Sequence, residues 1–236
     1  MEKVLFAAAF FVAYTIQAVT GFAGNIFAMP VGTHVMGLSS SVAVLNAMGF
    51  FACGMLAVLN FKHINWRELA KMTCGMLPFL ALGIWLDTVL PLPVLLRIYG
   101  AIIVFIGIRN LLSKEQRFLP KWLLAIIVAA GLIQGMFVSG GAFLVIYAVQ
   151  KMKDKQQFRA TLSALWAILN FLYALLAFTQ GHFTGDVVLT VGICIPIAIV
   201  ANILGQVIQK RISQEKFLKL TYVLLLLVGL VLLITS

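Results

Sequence analysis

Six stretches of this chain run for roughly the thickness of a bilayer with hardly a charge in them: approximately 42–60, 72–90, 94–108, 161–180, 187–208 and 218–235. A hydrocarbon core about 30 Å thick takes roughly 20 helical residues, and a helix closes its backbone hydrogen bonds within itself, as lipid demands. The third stretch reaches full length, 94–112, when the helix continues into Leu111 and Leu112 with Arg109 extending to the interface. Composition agrees. Of 236 residues 63% are hydrophobic and 10% charged, against about 25% charged in a soluble domain. Polar surface is too scarce to cover a water-soluble globule, so the chain is expected to be an all-α polytopic membrane protein with the lipid bilayer as its main partner. Its 17 Lys and Arg against 7 Asp and Glu would suggest nucleic acid in a soluble protein. Here they lie between apolar runs and report topology, so no nucleic-acid partner is expected. Cys53, Cys74 and Cys194 are scattered inside apolar segments without C-x-x-C spacing, which supports neither a disulfide framework nor a metal site.

Two further apolar regions, 4–37 and 121–150, are interrupted. The first breaks at Thr20-Gly21-Phe22-Ala23-Gly24-Asn25 and the second at Ser139-Gly140-Gly141, so each reads as two helical arms. The later arms, 26–37 and 142–150, would be about 18 Å and about 14 Å long at 1.5 Å per residue. Neither can cross a bilayer alone. Whether the regions cross or turn back is decided by the basic loops. Lys62, Arg67 and Lys71 form one loop; Arg109, Lys114, Arg117 and Lys121 a second; Lys151, Lys153, Lys155 and Arg159 a third; Lys210, Arg211, Lys216 and Lys219 a fourth. Lys3 and Arg97 lie near the opposite face. Because the second and third loops flank only the 121–150 region, that region enters and leaves by the cytoplasmic side as a re-entrant hairpin.

If 4–37 behaves likewise, the N-terminus is outside and the chain divides into two inverted repeats. Each is a re-entrant or broken hairpin plus three transmembrane helices: 1–118 (hairpin 4–37; spans 42–60, 72–90, 94–112) and 119–236 (hairpin 121–150; spans 161–180, 187–208, 218–235). An odd number of crossings per half inverts the second half, as in many secondary transporters. An internal match at an offset of 116 residues, AGNIFAMP at 23–30 with SGGAFLVI at 139–146, agrees with the division. The Glu2-Lys3 start resembles a signal peptide, but the apolar run continues through its break without a small-residue cleavage site and is expected to be retained.

Irregular backbone at membrane depth must be covered by protein or by a wet cavity. The two tips are therefore expected to face one central site. The first N–H groups of each second arm, with the positive end of the helix dipole, make a seat for an anion. No Lys, Arg, Asp or Glu falls in the middle of an apolar segment, so amides and hydroxyls must do the attracting. The candidate substrate-binding residues are Thr20, Gly21, Gly24 and Asn25 in the first tip and Gln134, Ser139, Gly140 and Gly141 in the second. Gln17, Asn46 and Asn170 stand in a second rank. Each has a structural reading beside the functional one, since glycines also serve close helix packing and membrane Asn and Gln also join helices. Pro30, Pro78 and Pro196 read as helix kinks, and His34 and His182 as interfacial. No cofactor is called for.

GLIQGMFVSGGAFLVIYAV at 131–149 resembles the G-x-x-x-G-x-x-G-x-G-G-G signature of the TauE/SafE sulfite-exporter family, and GFAGNIFAMPV at 21–31 resembles its first-repeat copy, including Pro30. The resemblance runs over essentially the whole chain. It departs at the glycine triplet, which is Ala23-Gly24-Asn25 in the first copy and Ser139-Gly140-Gly141 in the second, and at the second proline position, which is Ile146. The resemblance implies a multi-pass permease of the bacterial inner membrane moving a small anion such as sulfite or an organosulfonate, commonly outward.

The expected function is thus secondary transport of a small oxyanion by alternating access, with an anion channel sharing the same site as the alternative. An intramembrane enzyme with Ser139 as nucleophile lacks a general base in reach, and a purely structural subunit leaves two backbone breaks unexplained. Cysteines placed near residues 2, 38, 118 and 154 should label from outside, outside, inside and inside with a membrane-impermeant thiol reagent. Labelling of 118 and 154 from opposite sides would remove the inverted-repeat division.

Overall fold

A computed structural model describes residues 2–87, 100–101, 103–105, 108, 120–137, 141–152 and 154–235. Among them the chain is helical apart from short connections: α1 Glu2–Thr20, α2 Gly24–Met36, α3 Leu38–Leu59, α4 Trp66–Asp87, α5 Pro120–Phe137, α6 Gly141–Lys151, α7 Lys155–Thr179, α8 Gly185–Arg211 and α9 Gln214–Thr235, with a 3-10 turn at Phe61–His63. Four of these, α3, α4, α7 and α8, are long and apolar enough to cross a membrane. The expected stretch 218–235 lies within α9. Most of 94–112, and the loop residues 109–119, lie outside the described residues.

Both broken regions are two helices. The 13 residues of α2 and the 11 of α6 give arms of about 20 Å and about 17 Å, shorter than the hydrocarbon core. In the first region the chain leaves α1 through Gly21 at φ +85° and enters α2 through Ala23 at φ 75°. In the second, residues 138–140 fall outside the described residues. Two helices begin earlier than their apolar runs. α4 takes in Arg67, Glu68 and Lys71, and α7 takes in Lys155 and Arg159, so the basic stretch read as a loop over 151–159 is helical from Lys155 onward. Near the start of α4, Glu68 accepts from Lys71 Nζ at 2.7 Å and from the hydroxyl of Tyr147 on α6. Other ends follow ordinary capping. Thr184 caps α8 by accepting from Val187 N–H, Asp186 sits in its first turn and Lys210 and Arg211 in its last, each sign facing the opposite end of the dipole.

The chain forms two compact units, Met1–Asn65 with Gln156–Ile212, and Trp66–Lys155 with Ser213–Ser236. In the first, α1 packs on α2 and α8, and α3 packs on α2 and α8. Phe6, Phe10 and Tyr14 of α1, Val44, Leu45 and Met48 of α3 and Cys194, Ala198 and Ala201 of α8 share its core, with the Phe10 and Tyr14 rings stacked at 4.0 Å. Small residues let α1 and α8 approach: a Cβ on Gly205 would strike Ala18. In the second unit α4 lies along α5. A side chain on Gly83 would strike the Leu132 carbonyl, one on Gly135 the Leu80 carbonyl, and one on Gly131 would stand 2.7 Å from the Met76 carbonyl. Two backbones in such contact gain dispersion and weak Cα–H···O bonds that no larger residue permits.

Large apolar side chains cover the outside. Ile168, Phe171, Leu175 and Phe178 on α7, and Val188, Ile193, Val200 and Ile203 on α8, are exposed. Gln17, Thr20, Asn46, Arg159, Ser163, Asn170 and Asn202 are buried. This inside-out distribution is stable in hydrocarbon and would aggregate in water. Gly135→Leu should destabilise the α4–α5 pair by about 3 kcal/mol or more, because the clash is with backbone that cannot swing aside. The check is loss of the monodisperse peak in detergent size-exclusion chromatography, with Gly54→Leu, at a glycine that faces open space, as the tolerated control.

Candidate functional site

The break between α1 and α2 begins as a normal helix end. Gly21 N–H bonds the Gln17 carbonyl at 2.7 Å. The Thr20 hydroxyl lies 2.8 Å from the Ile16 carbonyl and 3.0 Å from the Phe22 carbonyl, and its oxygen lies 3.5 Å from Phe22 N. Thr20 thus turns the chain with local bonds. Ala23 then adopts the left-handed conformation without glycine's freedom, and no side chain caps the start of α2. The first bond back to this segment is Phe27 N–H to the Ala23 carbonyl at 3.2 Å, so the amides of Gly24, Asn25 and Ile26 open the helix uncapped.

Around that opening the other candidates are tied to neighbours. The space a Cβ would need at Gly24 is filled by the Gln17 side chain, whose amide nitrogen donates to Cys53 Sγ. Asn25 Oδ1 accepts from the Tyr14 hydroxyl at 2.8 Å and Asn25 Nδ2 donates to Asn170 Oδ1 at 3.2 Å. Asn170 in turn lies against Gly49, where a Cβ would stand 2.6 Å from its amide nitrogen. Asn46 Nδ2 donates to the Val42 carbonyl of its own helix, leaving Oδ1 buried without a partner. The structure thus gathers Gln17, Thr20, Gly21, Gly24, Asn25 and Asn170 at and beside one break, Thr20, Gln17 and Asn25 holding the turn together. Of the second group, Gln134 is buried on α5 and Gly141 is the buried first residue of α6; Ser139 and Gly140 lie outside the described residues.

One neighbour of the break escaped the reading of the sequence. A Cβ on Gly21 would lie 3.0 Å from Arg159 Cα, 3.2 Å from its carbonyl oxygen and 3.3 Å from its Cγ. Arg159 is only 3% exposed. It stands four residues inside α7, about 6 Å along the axis from Lys155. Counted among the basic topology signals, it is instead a buried cation against the first tip. The available signal was periodicity: Arg159, Ser163, Trp166 and Asn170 recur at steps of four, three and four, one face of a helix whose other face is apolar.

Comparison with known proteins adds the family. Residues 5–232 match the family described as "Sulfite exporter TauE/SafE". The chain belongs to this family. It is therefore a membrane transporter and not an enzyme. It is 28% identical over 202 residues, 80% of this chain and 77% of the relative, to a Cupriavidus necator protein named "Probable sulfite/organosulfonate exporter TauE". It is 26% identical over 178 residues, 73% of this chain and 74% of the relative, to a Comamonas testosteroni protein named "Probable inner membrane transporter protein TsaS". No solved structure matches.

Gly21 and Ala23 differ in what they tolerate. Ala23→Val should destabilise the break by about 2 kcal/mol, since a β-branched residue suits φ 75° worse than alanine. Ala23→Gly should leave the melting midpoint in detergent unchanged or slightly raised, relief of the left-handed strain offsetting one lost buried methyl of about 0.8 kcal/mol. Equal midpoints for the two variants would show that the turn is not strained.

Proposed function

We propose that this transporter exports a small oxyanion, sulfite or an organosulfonate, across the bacterial inner membrane by alternating access. The observation that carries the reading is the interruption at 21–23, which ends one apolar helix and starts another with free amides. Such a start concentrates partial positive charge of its own, and holds an anion loosely enough to release it. The names of the two relatives supply the substrate class and the membrane. Gly24 and Asn25 would contribute main-chain donors at the first break, together with Ile26, while Gly21, its own N–H bonded to the Gln17 carbonyl, and Thr20 would form its turn. In the second repeat Ser139, Gly140 and Gly141, with Gln134 before them, are the counterpart.

Helix pairing supports the repeat. The first helix of each broken region packs on the second span of the opposite half: α1 on α8, and α5 on α4. Both partner helices carry an internal proline, Pro78 in α4 and Pro196 in α8. Reciprocal pairing of this kind is what two copies of one element order produce when they exchange hairpins, and the basic loops give the copies opposite orientation.

Radiolabelled sulfite trapped in proteoliposomes should leave by a saturable route that shows counterflow when unlabelled sulfite or methanesulfonate is supplied outside. Unitary currents without counterflow would establish a channel instead, and no anion-dependent flux at all would overturn the reading.

A further inference from the structure

Most buried polar groups near the first break have found partners, but three donors on one face of α7 have not. Arg159 Nη2, Ser163 Oγ and Trp166 Nε1 are all buried without a hydrogen-bond partner. Their residues are 3%, 0% and 8% exposed. At 100° per residue they fall within about 60° of one another around the helix and are spread over about 10 Å along it. No described carboxylate pairs with Arg159, and the ion pair of Lys71 with Glu68 belongs to the other unit. Removing a guanidinium from water with no counter-charge is costly, and each orphaned hydroxyl or indole N–H adds to that cost. A folded protein that keeps all three on one stripe holds them for something that comes and goes.

All three are donors, and that decides the ligand's chemistry. A cation would be repelled by Arg159, whereas an oxyanion presents several acceptor oxygens around one centre. Guanidinium forks match such oxygens two at a time, and hydroxyl and indole N–H complete the set without adding charge. The α1–α2 break lies against the same stripe at both ends: Gly21 abuts Arg159, and Asn25 bonds Asn170, one step beyond Trp166. Absence of a side chain at Gly21 is what leaves room for the stem of Arg159.

We propose that Arg159, Ser163 and Trp166 form a donor ladder on α7 that binds the transported oxyanion, with Arg159 as its charged end beside the first break. This rests on the transport reading above and assigns to it a side-chain site distinct from the tip amides. Ser163 and Trp166 confer selectivity for ligands with at least two acceptor oxygens. The uncompensated charge of Arg159 draws the anion in.

The test uses the full chain purified in nanodiscs and reconstituted in proteoliposomes, with sodium sulfite, sulfate and methanesulfonate as probes and gluconate as control. Wild type should melt at higher temperature in one or more probes. Arg159→Gln should lose that anion-dependent shift and raise KM for flux by roughly ten- to hundredfold, the range of a lost charge-assisted hydrogen bond. Without anion its melting midpoint should equal or exceed that of wild type, because an unpaired buried charge has been removed. A structural arginine would do the reverse. Arg159→Lys should fall between, since lysine keeps the charge without the fork. Ser163→Ala and Trp166→Phe should each raise KM by about three- to tenfold. Flux with KM within about twofold of wild type in Arg159→Gln, or in both Ser163→Ala and Trp166→Phe should the arginine variant fail to fold, would overturn the ladder. If wild type moves none of the probes, the transport reading fails alone: a melting shift abolished by Arg159→Gln still upholds the ladder as an anion site, and no shift in wild type overturns it as well.

Discussion

A backbone amide in hydrocarbon has only its own helix, a neighbouring side chain or a ligand to bond, and the cost of leaving it unbonded is several kcal/mol. Everything informative about this protein follows from where it departs from that demand. Nearly all of the described chain is helix, so departures are few. At residues 21–23 the helix stops, turns through two left-handed residues and restarts without a side-chain cap. The surrounding residues are arranged to make this tolerable: Thr20 supplies local bonds, Gln17 packs into the space glycine leaves at 24, and Tyr14 and Asn170 clamp the two ends of the Asn25 side chain.

The same demand applies to side chains, and it separates two kinds of buried polar residue here. Asn25 and Thr20 are engaged within the turn and hold its shape. Arg159, Ser163 and Trp166 retain unbonded donors in the adjoining helix and are free to act on something else. A transporter needs both, since a site must be rigid enough to select and unsatisfied enough to bind. The glycines divide likewise. Gly83, Gly131 and Gly135 bring α4 and α5 into backbone contact, whereas Gly21 is required by its positive φ and by the closeness of Arg159.

Much of this was legible in the chain. The apolar runs, the two interrupted regions, the later arms too short to cross and the alternation of basic loops depend on local composition and on a fixed rise per residue, which any stretch of sequence carries with it. In the sequence Gly131 and Gly135 belong to a glycine signature, and only the facing Met76 and Leu80 carbonyls show that they serve helix contact. Thr20 bonds carbonyls within four residues of itself, which local sequence can encode, but the Asn25 partner Asn170 is 145 residues away and is a matter of packing.

Arg159 marks the boundary between the two kinds of knowledge. By sequence it closes a run with Lys151, Lys153 and Lys155, which charge counting treats as one basic loop. Sequence alone determined that the chain lives in lipid, where it breaks, and which loops are basic, because hydropathy and helix length act residue by residue. Only tertiary structure decided which of those basic residues is taken out of water, since burial depends on the hairpin that folds against α7 from nearly 140 positions earlier in the chain, and no local pattern encodes that approach.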